Sequence, residues 1–588
     1  MNSPGQPALV FRHVTKTFRS GGGTVTALDD VDFSVASGSV TGLIGPDGAG
    51  KTTLMRLAAG LLRADRGTVT VLGLDAATSA LKIQSSVGYM PQRFGLYEDL
   101  TVGENLDLYA DLQGVPVASR PSRYDELMRM TGLRSFTARL AGRLSGGMKQ
   151  KLGLACTLVR SPRLLLLDEP TVGVDPVSRR ELWAIVSRFV EQYGTTVLLS
   201  TAYLDEAERC DEVVILDEGE LIGQGPPSRF REPLSGRAFH VRIPGRKDRE
   251  VQELLRPKPE VIDSVIEGDH VRVVLREEGA RAPQRVVGEP SAVIEPVPPR
   301  FEDGFIAMLR ARRTGRTEPR TESETVRASV GAGRGRHDEP VIEVRKVARR
   351  FGDFYAVKAV SFHVSRGEVF GLLGANGAGK TTTFRMLCGL LPASAGELRV
   401  AGVDVRRAAA AARARIGYMS QKFSLYGTLS VIDNLRFFSS AYGLAGRRRR
   451  TRIDWAKSEF GLGSVSQEMS GTLPLGFRQR LALACALMHE PDIIFLDEPT
   501  SGVDPLARRE FWHRINGLAA GGVTVLVTTH FMEEAEYCDR LAIMMAGEIL
   551  AIGTPTAIKD RARSAERPNP TMEDAFIDLI TQRSTEAT

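Results

Sequence analysis

Two glycine-rich segments carry the residues best suited to holding a polyphosphate: GPDGAGKTT at residues 45–53 and GANGAGKTT at residues 374–382. Each follows an apolar run (residues 40–44 and 369–373) and precedes a helical pattern, LMRLAAGLL or TFRMLCGLL. Strand, glycine-rich loop and helix in that order form the context of a P-loop. The glycines let successive backbone N–H groups point inward as an anion cradle, and the helix adds its positive N-terminal end. The first cradle comprises Gly45, Pro46, Asp47, Gly48, Ala49, Gly50, Lys51, Thr52 and Thr53. The second comprises Gly374, Ala375, Asn376, Gly377, Ala378, Gly379, Lys380, Thr381 and Thr382. Lys51 and Lys380 would reach the β- and γ-phosphates of ATP, and Thr52 and Thr381 would hold Mg2+.

A second pair of groups supplies acid–base chemistry. Asp168-Glu169 and Asp497-Glu498 each end an apolar run, LLLLDEP or IIFLDEP. Each aspartate can orient the Mg2+ shell. The adjacent glutamate can polarise an attacking water, a general-base role worth about 10²–10⁴ in rate.

The elements that must position these groups occur twice. Lys380 follows Lys51 by 380 − 51 = 329 positions, and the same offset separates Gln421 from Gln92, Asp497 from Asp168 and Asp504 from Asp175. A constant offset across separate motifs marks a duplicated domain. The copies differ in one place. From Pro227 to Pro299 the first copy runs 299 − 227 = 72 residues, and from Pro555 to Pro570 the second runs 570 − 555 = 15, so the first carries 57 extra residues. AFHVRIP and HVRVVL within them alternate like short strands. The Gly, Arg, Ser, Thr and Glu richness of residues 314–340 reads as a flexible linker. The expected organisation is a first nucleotide-binding domain over 1–232, a small β-containing subdomain over 233–313 and the linker over 314–340. A second nucleotide-binding domain over 341–560 and a C-terminal helix and tail over 561–588 complete it.

Composition narrows the class. The chain has 588 residues, too many for one core, with 42% hydrophobic and 25% charged residues and a net charge of +6. This is an ordinary globular composition, and the mild basic excess reads as a solvated face, with no nucleic acid expected. The arginines at 447–450 and 452 read the same way. The five cysteines form no CxxC pair, which fits reduced, buried thiols. The start, MNSPGQPALVF, reads as no signal peptide, and no run approaches the ~18 apolar residues of a membrane span. The histidines other than His530 show no metal spacing.

Further motifs carry a family resemblance. LSGGMKQ at residues 144–150 resembles the signature motif of ABC ATPases, and GVDP resembles their D-loop, with Asp175 and Asp504 in the two copies. MPQRFGLY and MSQKFSLY resemble the Q-loop, with Gln92 and Gln421. The resemblance covers nearly the whole chain except the insertion and the linker. It implies an α/β fold of two P-loop NTPase (ABC ATPase) domains, each with a RecA-like core, an antiparallel β subdomain and an α-helical subdomain. It implies cassettes docked head to tail, each ATP held between one P-loop and the opposite signature. There Ser145, Gly146, Gly147 and Gln150 would present a helix N-terminus to the γ-phosphate. Gln92 and Gln421 would sense that phosphate and its Mg2+, and Phe18 and Phe351 stand where the family stacks an aromatic on adenine.

Two departures break the symmetry. The second signature reads LPLGFRQ, with Pro474 in place of the serine and Leu475 in place of the first glycine. Proline lacks an N–H, and the leucine side chain blocks close backbone approach. STAYLDEAE in the first copy faces TTHFMEEAE in the second, so Ala202 stands where His530, the switch histidine, does. In head-to-tail docking both defects fall in the site built on Lys51 and Glu169. The site built on Lys380, Glu498 and His530 is intact, so one site is expected to hydrolyse ATP and the other mainly to hold it.

FGLYEDLTVGENL, the repeated ED-F-I closing segments and the LPLG second signature resemble the energising subunit of bacterial ABC-2 drug or solute exporters. This implies permease subunits on separate chains, location at the cytoplasmic face of the inner membrane, and room for a periplasmic adaptor in the same system. The alternative is a soluble tandem ABC protein acting on ribosomes or nucleic acid. Such proteins usually carry a long charged helical linker and two complete signatures, and both are missing here. A purely structural nucleotide-binding role would leave Glu498 and His530 idle.

Overall fold

The computed structural model describes residues 6–20, 23–92, 95–277, 282–315, 340–421 and 424–586. Most of the 314–340 linker lies outside them. The chain divides into two compact units: the first holds Met1–Ser235, Pro299–Ala311 and Asp504–Leu506, the second Gly236–Pro298, Arg312–Val503 and Ala507–Thr588.

The first unit is built on a six-stranded sheet. Its strands, in spatial order, are Glu220–Gly225, Glu212–Asp217, Val40–Ile44, Thr196–Ser200, Leu164–Asp168 and Val87–Met90. All neighbours run parallel except the first two strands. The middle strands Val40–Ile44, Leu164–Asp168 and Thr196–Ser200 are buried at every position. Continuous apolar runs are what a sheet covered on both faces requires. Their carboxyl ends deliver the P-loop, the Asp168-Glu169 pair and the segment around Ala202 to one edge, where open α/β sheets bind ligands. A four-stranded antiparallel sheet, ordered Gly23–Val35, Leu9–Ser20, Arg66–Val71, Leu74–Asp75, supplies the second layer. The helices Val102–Leu112, Arg120–Thr131 and Gly146–Leu158 form the helical region. Asn105, fully buried at its base, donates to the carbonyls of Tyr97 and Thr101, and Tyr97 N donates back to it. That amide ties the stretch after Gln92 to the helical region.

The second unit repeats this plan. Its six-stranded sheet is ordered Ile416–Met419, Ile493–Asp497, Thr524–Thr529, Val369–Gly374, Arg540–Met545, Glu548–Gly553. Asn434 repeats the bonds of Asn105. Arg447–Arg450 are exposed on the helix Gly446–Glu459, whereas Arg452 lies over the Trp455 ring and donates to Leu487 and Met488 carbonyls.

The insertion forms a four-stranded antiparallel sheet ordered Val261–Glu267, His270–Leu275, Ala238–Arg242, Val293–Pro296. AFHVRIP and HVRVVL fall on two of these strands. The sheet belongs to the second unit, not to the cassette that precedes it in sequence. Arg249 pairs with both oxygens of Asp539, and Asp263 pairs with Arg509. The chain then returns to the first unit, where the helix Phe301–Gly315 buries Phe301 and Phe305, and Phe301 meets Phe230 edge to face. The histidines show no metal-binding spacing in the sequence, but the fold adds a proximity that spacing does not carry. Strand pairing brings His240, Glu267 and His270 together although 30 residues separate the two histidines in sequence.

All five cysteines are free and buried. Among the described residues, no helix is long and apolar enough to cross a membrane.

Candidate nucleotide sites

Each P-loop turns where only glycine fits. Gly50 has φ +99, and a Cβ there would lie 2.5 Å from the Ala27 carbonyl oxygen. Gly379 has φ +104 and would meet the Ala356 carbonyl at 2.6 Å. The helices Lys51–Ala58 and Lys380–Leu387 start directly after these residues. Lys51 Nζ donates to the carbonyls of Gly45 (2.7 Å) and Pro46 (3.0 Å). Lys380 Nζ does the same to Gly374 (2.6 Å) and Ala375 (3.1 Å). Both ammonium groups are thus held at the mouth of their loops.

The acidic pairs are built alike. Ser200 Oγ donates to Asp168 Oδ1 (2.7 Å), and Thr528 Oγ1 to Asp497 Oδ1 (2.6 Å). Glu169 N donates to Ser200 Oγ (2.9 Å), and Glu498 N to Thr528 Oγ1 (3.0 Å). Glu169 and Glu498 occupy the left-handed region, at φ 52 and 46. Such a conformation is sparsely populated for a non-glycine residue and clusters at functional sites. Gln92 Nε2 donates to Glu169 Oε2 (2.6 Å), and Gln421 Nε2 to Glu498 Oε2 (2.7 Å). Each cassette therefore brings its P-loop lysine, acidic pair and Q-loop glutamine into one cluster.

Mg2+ prefers hard oxygen donors. The carboxylates of Asp168 and Asp497 with the hydroxyls of Thr52 and Thr381 are such a set. Thr381 Oγ1 lies 3.5 Å from Asp497 Oδ1, and the buried Asp168 Oδ2 has no hydrogen-bond partner. These residues fit the ion.

The two clusters differ at one neighbour. His530 is buried, stacks on Phe531 with centroids 4.5 Å apart, and places Nδ1 3.3 Å from Glu498 Oε2. Burial alone would push the Glu498 carboxyl up. His530, then Lys380 and Gln421, outweigh it and hold the group below its ordinary value. Ala202 is equally buried but offers only a methyl group. Burial pushes the Glu169 carboxyl up, Asp168 adds to the rise, and Lys51 and Gln92 offset it only in part.

The signature helices differ at their tips. Ser145 caps the helix Gly146–Leu158, its Oγ accepting from Met148 N at 3.3 Å. Gly147 packs so closely that a Cβ would lie 2.5 Å from Ser178 Oγ. Ser178 is itself held by Asp175, which caps the helix Pro176–Tyr193. Gln150 is buried in the same helix. Pro474 precedes the helix Leu475–Ala486 with no side-chain cap, while Asp504 Oδ1 accepts from Leu506 N at 3.1 Å. Phe18 and Phe351 are exposed, at 40% and 46%, and lie beneath Lys16 and Arg349 respectively. They are surface rings, not core residues.

Glu206 and Glu534 escaped the sequence reading. Both are fully buried. Glu206 accepts from Thr171 (3.0 Å) and Thr201 (2.5 Å), and Glu534 from Thr500 and Thr529 (2.6 Å). Each carboxylate clamps the strand carrying its acidic pair to the segment carrying Ala202 or His530. Their signal was the shared glutamate in LDEAE and MEEAE.

The ABC transporter family profile matches residues 28–172 and 357–501. The chain is 51% identical over 555 residues to the "Probable multidrug ABC transporter ATP-binding protein YbhF" of Escherichia coli (strain K12), covering 94% of this chain and 95% of that protein. It is 43% identical over 225 residues to the "Nod factor export ATP-binding protein I" of Paraburkholderia xenovorans (strain LB400), covering 37% of this chain and 73% of that protein. A solved "Structure of ATP binding subunit of ABC transporter" matches at 28% identity and TM-score 0.38, over 41% of this chain and 99% of that one. The expected α/β fold of two P-loop cassettes is borne out, the cassettes are ATPases, and the chain belongs to the ATP-binding proteins of ABC transporters.

Proposed function

We propose that the chain powers export of a solute or drug through membrane-spanning permease subunits of ABC-2 type on separate chains. It would sit peripherally at the cytoplasmic face of the membrane, with one competent and one degenerate ATP site. Its relatives' names, a multidrug transporter and a Nod factor exporter, support export. No described helix is fit to cross a membrane, which supports separate permeases.

In the head-to-tail pairing of the family, the Lys380, Glu498 and His530 cluster closes against Ser145, Gly146 and Gly147. The Lys51 and Glu169 cluster closes against Pro474 and Leu475. Glu498, the carboxylate held ionised, acts as the general base for the water attacking the γ-phosphorus. His530 hydrogen-bonds the developing charge, and Lys380 neutralises it. Mg2+, held by Thr381 and Asp497, would add charge stabilisation to the phosphates. The products are ADP and phosphate. The single observation carrying the asymmetry is the placement of His530 Nδ1 3.3 Å from Glu498 Oε2, where the first cassette has the buried Ala202.

The transport role is tested by purifying the chain from its own cells in mild detergent. Integral membrane proteins are expected in the complex. Recovery with ribosomes and no membrane protein would overturn it.

A further inference from the structure

The insertion has no part in the nucleotide chemistry, yet one face of its sheet gathers metal-binding donors. His240 pairs with Arg272 across the strands Ala238–Arg242 and His270–Leu275. His270 lies two residues before Arg272 and so points to the same face as His240. Glu267 pairs directly with His270 across the adjoining hairpin and shares that face too. The opposite face carries Phe239, Val241, Val271 and Val273, which fill the subdomain core. The first face, which also holds the buried Ala238, Arg272 and Val274, thus places two imidazoles and a carboxylate side by side.

Their geometry converges on a point. His240 Nε2 lies 3.2 Å and His270 Nε2 4.0 Å from the same oxygen, Glu267 Oε2. The donor atoms of all three residues lie within 4.8 Å of one another. Ligands about 2.0–2.2 Å from a tetrahedral ion stand roughly 3.3–3.5 Å apart, so a small closure of the His270 ring completes the set. The rings already lie 3.8 Å apart between centroids, at 35°. All three side chains are partly open to solvent, at 23%, 14% and 25%.

A supporting group stands behind them. His270 Nδ1 lies 3.2 Å from Asp269 Oδ1, which leaves Nε2 to face Glu267. A carboxylate on the far nitrogen is the usual partner of a metal-ligating imidazole, fixing its tautomer and orientation. Two cations share this face: Arg272 donates to the Pro298 carbonyl (2.7 Å), and Arg242, two residues after His240, lies at the exposed end of its strand.

We propose that His240, Glu267 and His270 bind a divalent transition-metal ion of zinc's class, with Asp269 orienting His270 and solvent completing the coordination. Mixed imidazole and carboxylate donors select such ions over Mg2+. The turn between Glu267 and His270 leans on the second cassette: a Cβ at Gly268 would lie 3.1–3.2 Å from Thr556 Oγ1, Glu536 Oε2 and Lys559 Nζ. An ion there would brace the hairpin where it meets the ATPase.

The test uses the full chain, untagged, stripped with chelator and kept in excess Mg2+ without nucleotide. Titration with Co2+, followed by visible absorption, should show about one equivalent in a low-coordinate, His-ligated site, displaced by Zn2+. H240A and H270A should each abolish that signal, and D269N should weaken binding about 10–100-fold. ATPase activity should be unchanged in all three, which certifies the fold. Absence of the signal in the parent chain, or its persistence in the H240A/H270A double variant, would overturn the proposal.

Discussion

His530 Nδ1 stands 3.3 Å from Glu498 Oε2, and the matching position beside Glu169 is occupied by the methyl group of Ala202. Otherwise the two clusters share the same strand order, a hydroxyl behind the aspartate (Ser200 or Thr528) and a glutamine on the glutamate. One side chain thus accounts for most of the difference in how the two carboxylates are held.

That relationship predicts a pH effect. In the parent chain Glu498 is held below its ordinary value, so it remains an ionised base into mildly acidic solution. Removing His530 deletes the strongest opposition to burial, and the Glu498 value should rise, as Glu169 has risen without a histidine. The acid limb of the ATPase profile in H530A should therefore move to higher pH. Its plateau should fall about 10²–10³-fold from loss of the donor. Steady-state phosphate release across pH reads both effects.

The P-loop glycines predict a second asymmetry. Alanine at Gly379 would need φ +104 and would drive Cβ into the Ala356 carbonyl, so G379A should abolish hydrolysis. G50A distorts the other loop in the same way but should leave most turnover. Comparable losses from the two changes would contradict this.

Glu534 should matter for stability as well as turnover. Its carboxylate accepts from Thr500 and Thr529 in a site closed to solvent. E534A leaves both hydroxyls without that acceptor, which costs about 1–3 kcal/mol. A lower unfolding midpoint, together with reduced ATPase from a displaced His530, is the expected result.

The insertion should be thermodynamically part of the second unit. Arg249 pairs with Asp539, whose Oδ2 accepts from Val369 N at the start of the strand feeding the second P-loop. R249A should destabilise that unit by about 1–3 kcal/mol, read as faster proteolysis within it while fragments of the first unit persist.

Much of this was legible in the residues. Buried parallel strands write themselves as LLLLD and IIFLD, and a P-loop needs glycine at fixed places, so the P-loops and acidic pairs followed from pattern and spacing, while the two-cassette fold, the glutamines and His530 followed from the family resemblance. The docking of the insertion did not. Arg249 with Asp539 and Asp263 with Arg509 are ordinary charged residues far apart in sequence, and no period marks them as partners. The gathering of His240, Glu267 and His270 was hidden for the same reason, because it depends on strand register. Glu206 and Glu534 were visible only as repeated letters. Their role required knowing that two strand ends lie within reach of one carboxylate.

The central claim is that one glutamate carries turnover. Steady-state ATPase of the full complex should be measured for E498Q and E169Q separately, at saturating ATP and Mg2+. E498Q should lose about 10²–10⁴ in rate, and E169Q should keep most of the parent activity. Equal losses from the two substitutions would contradict the account.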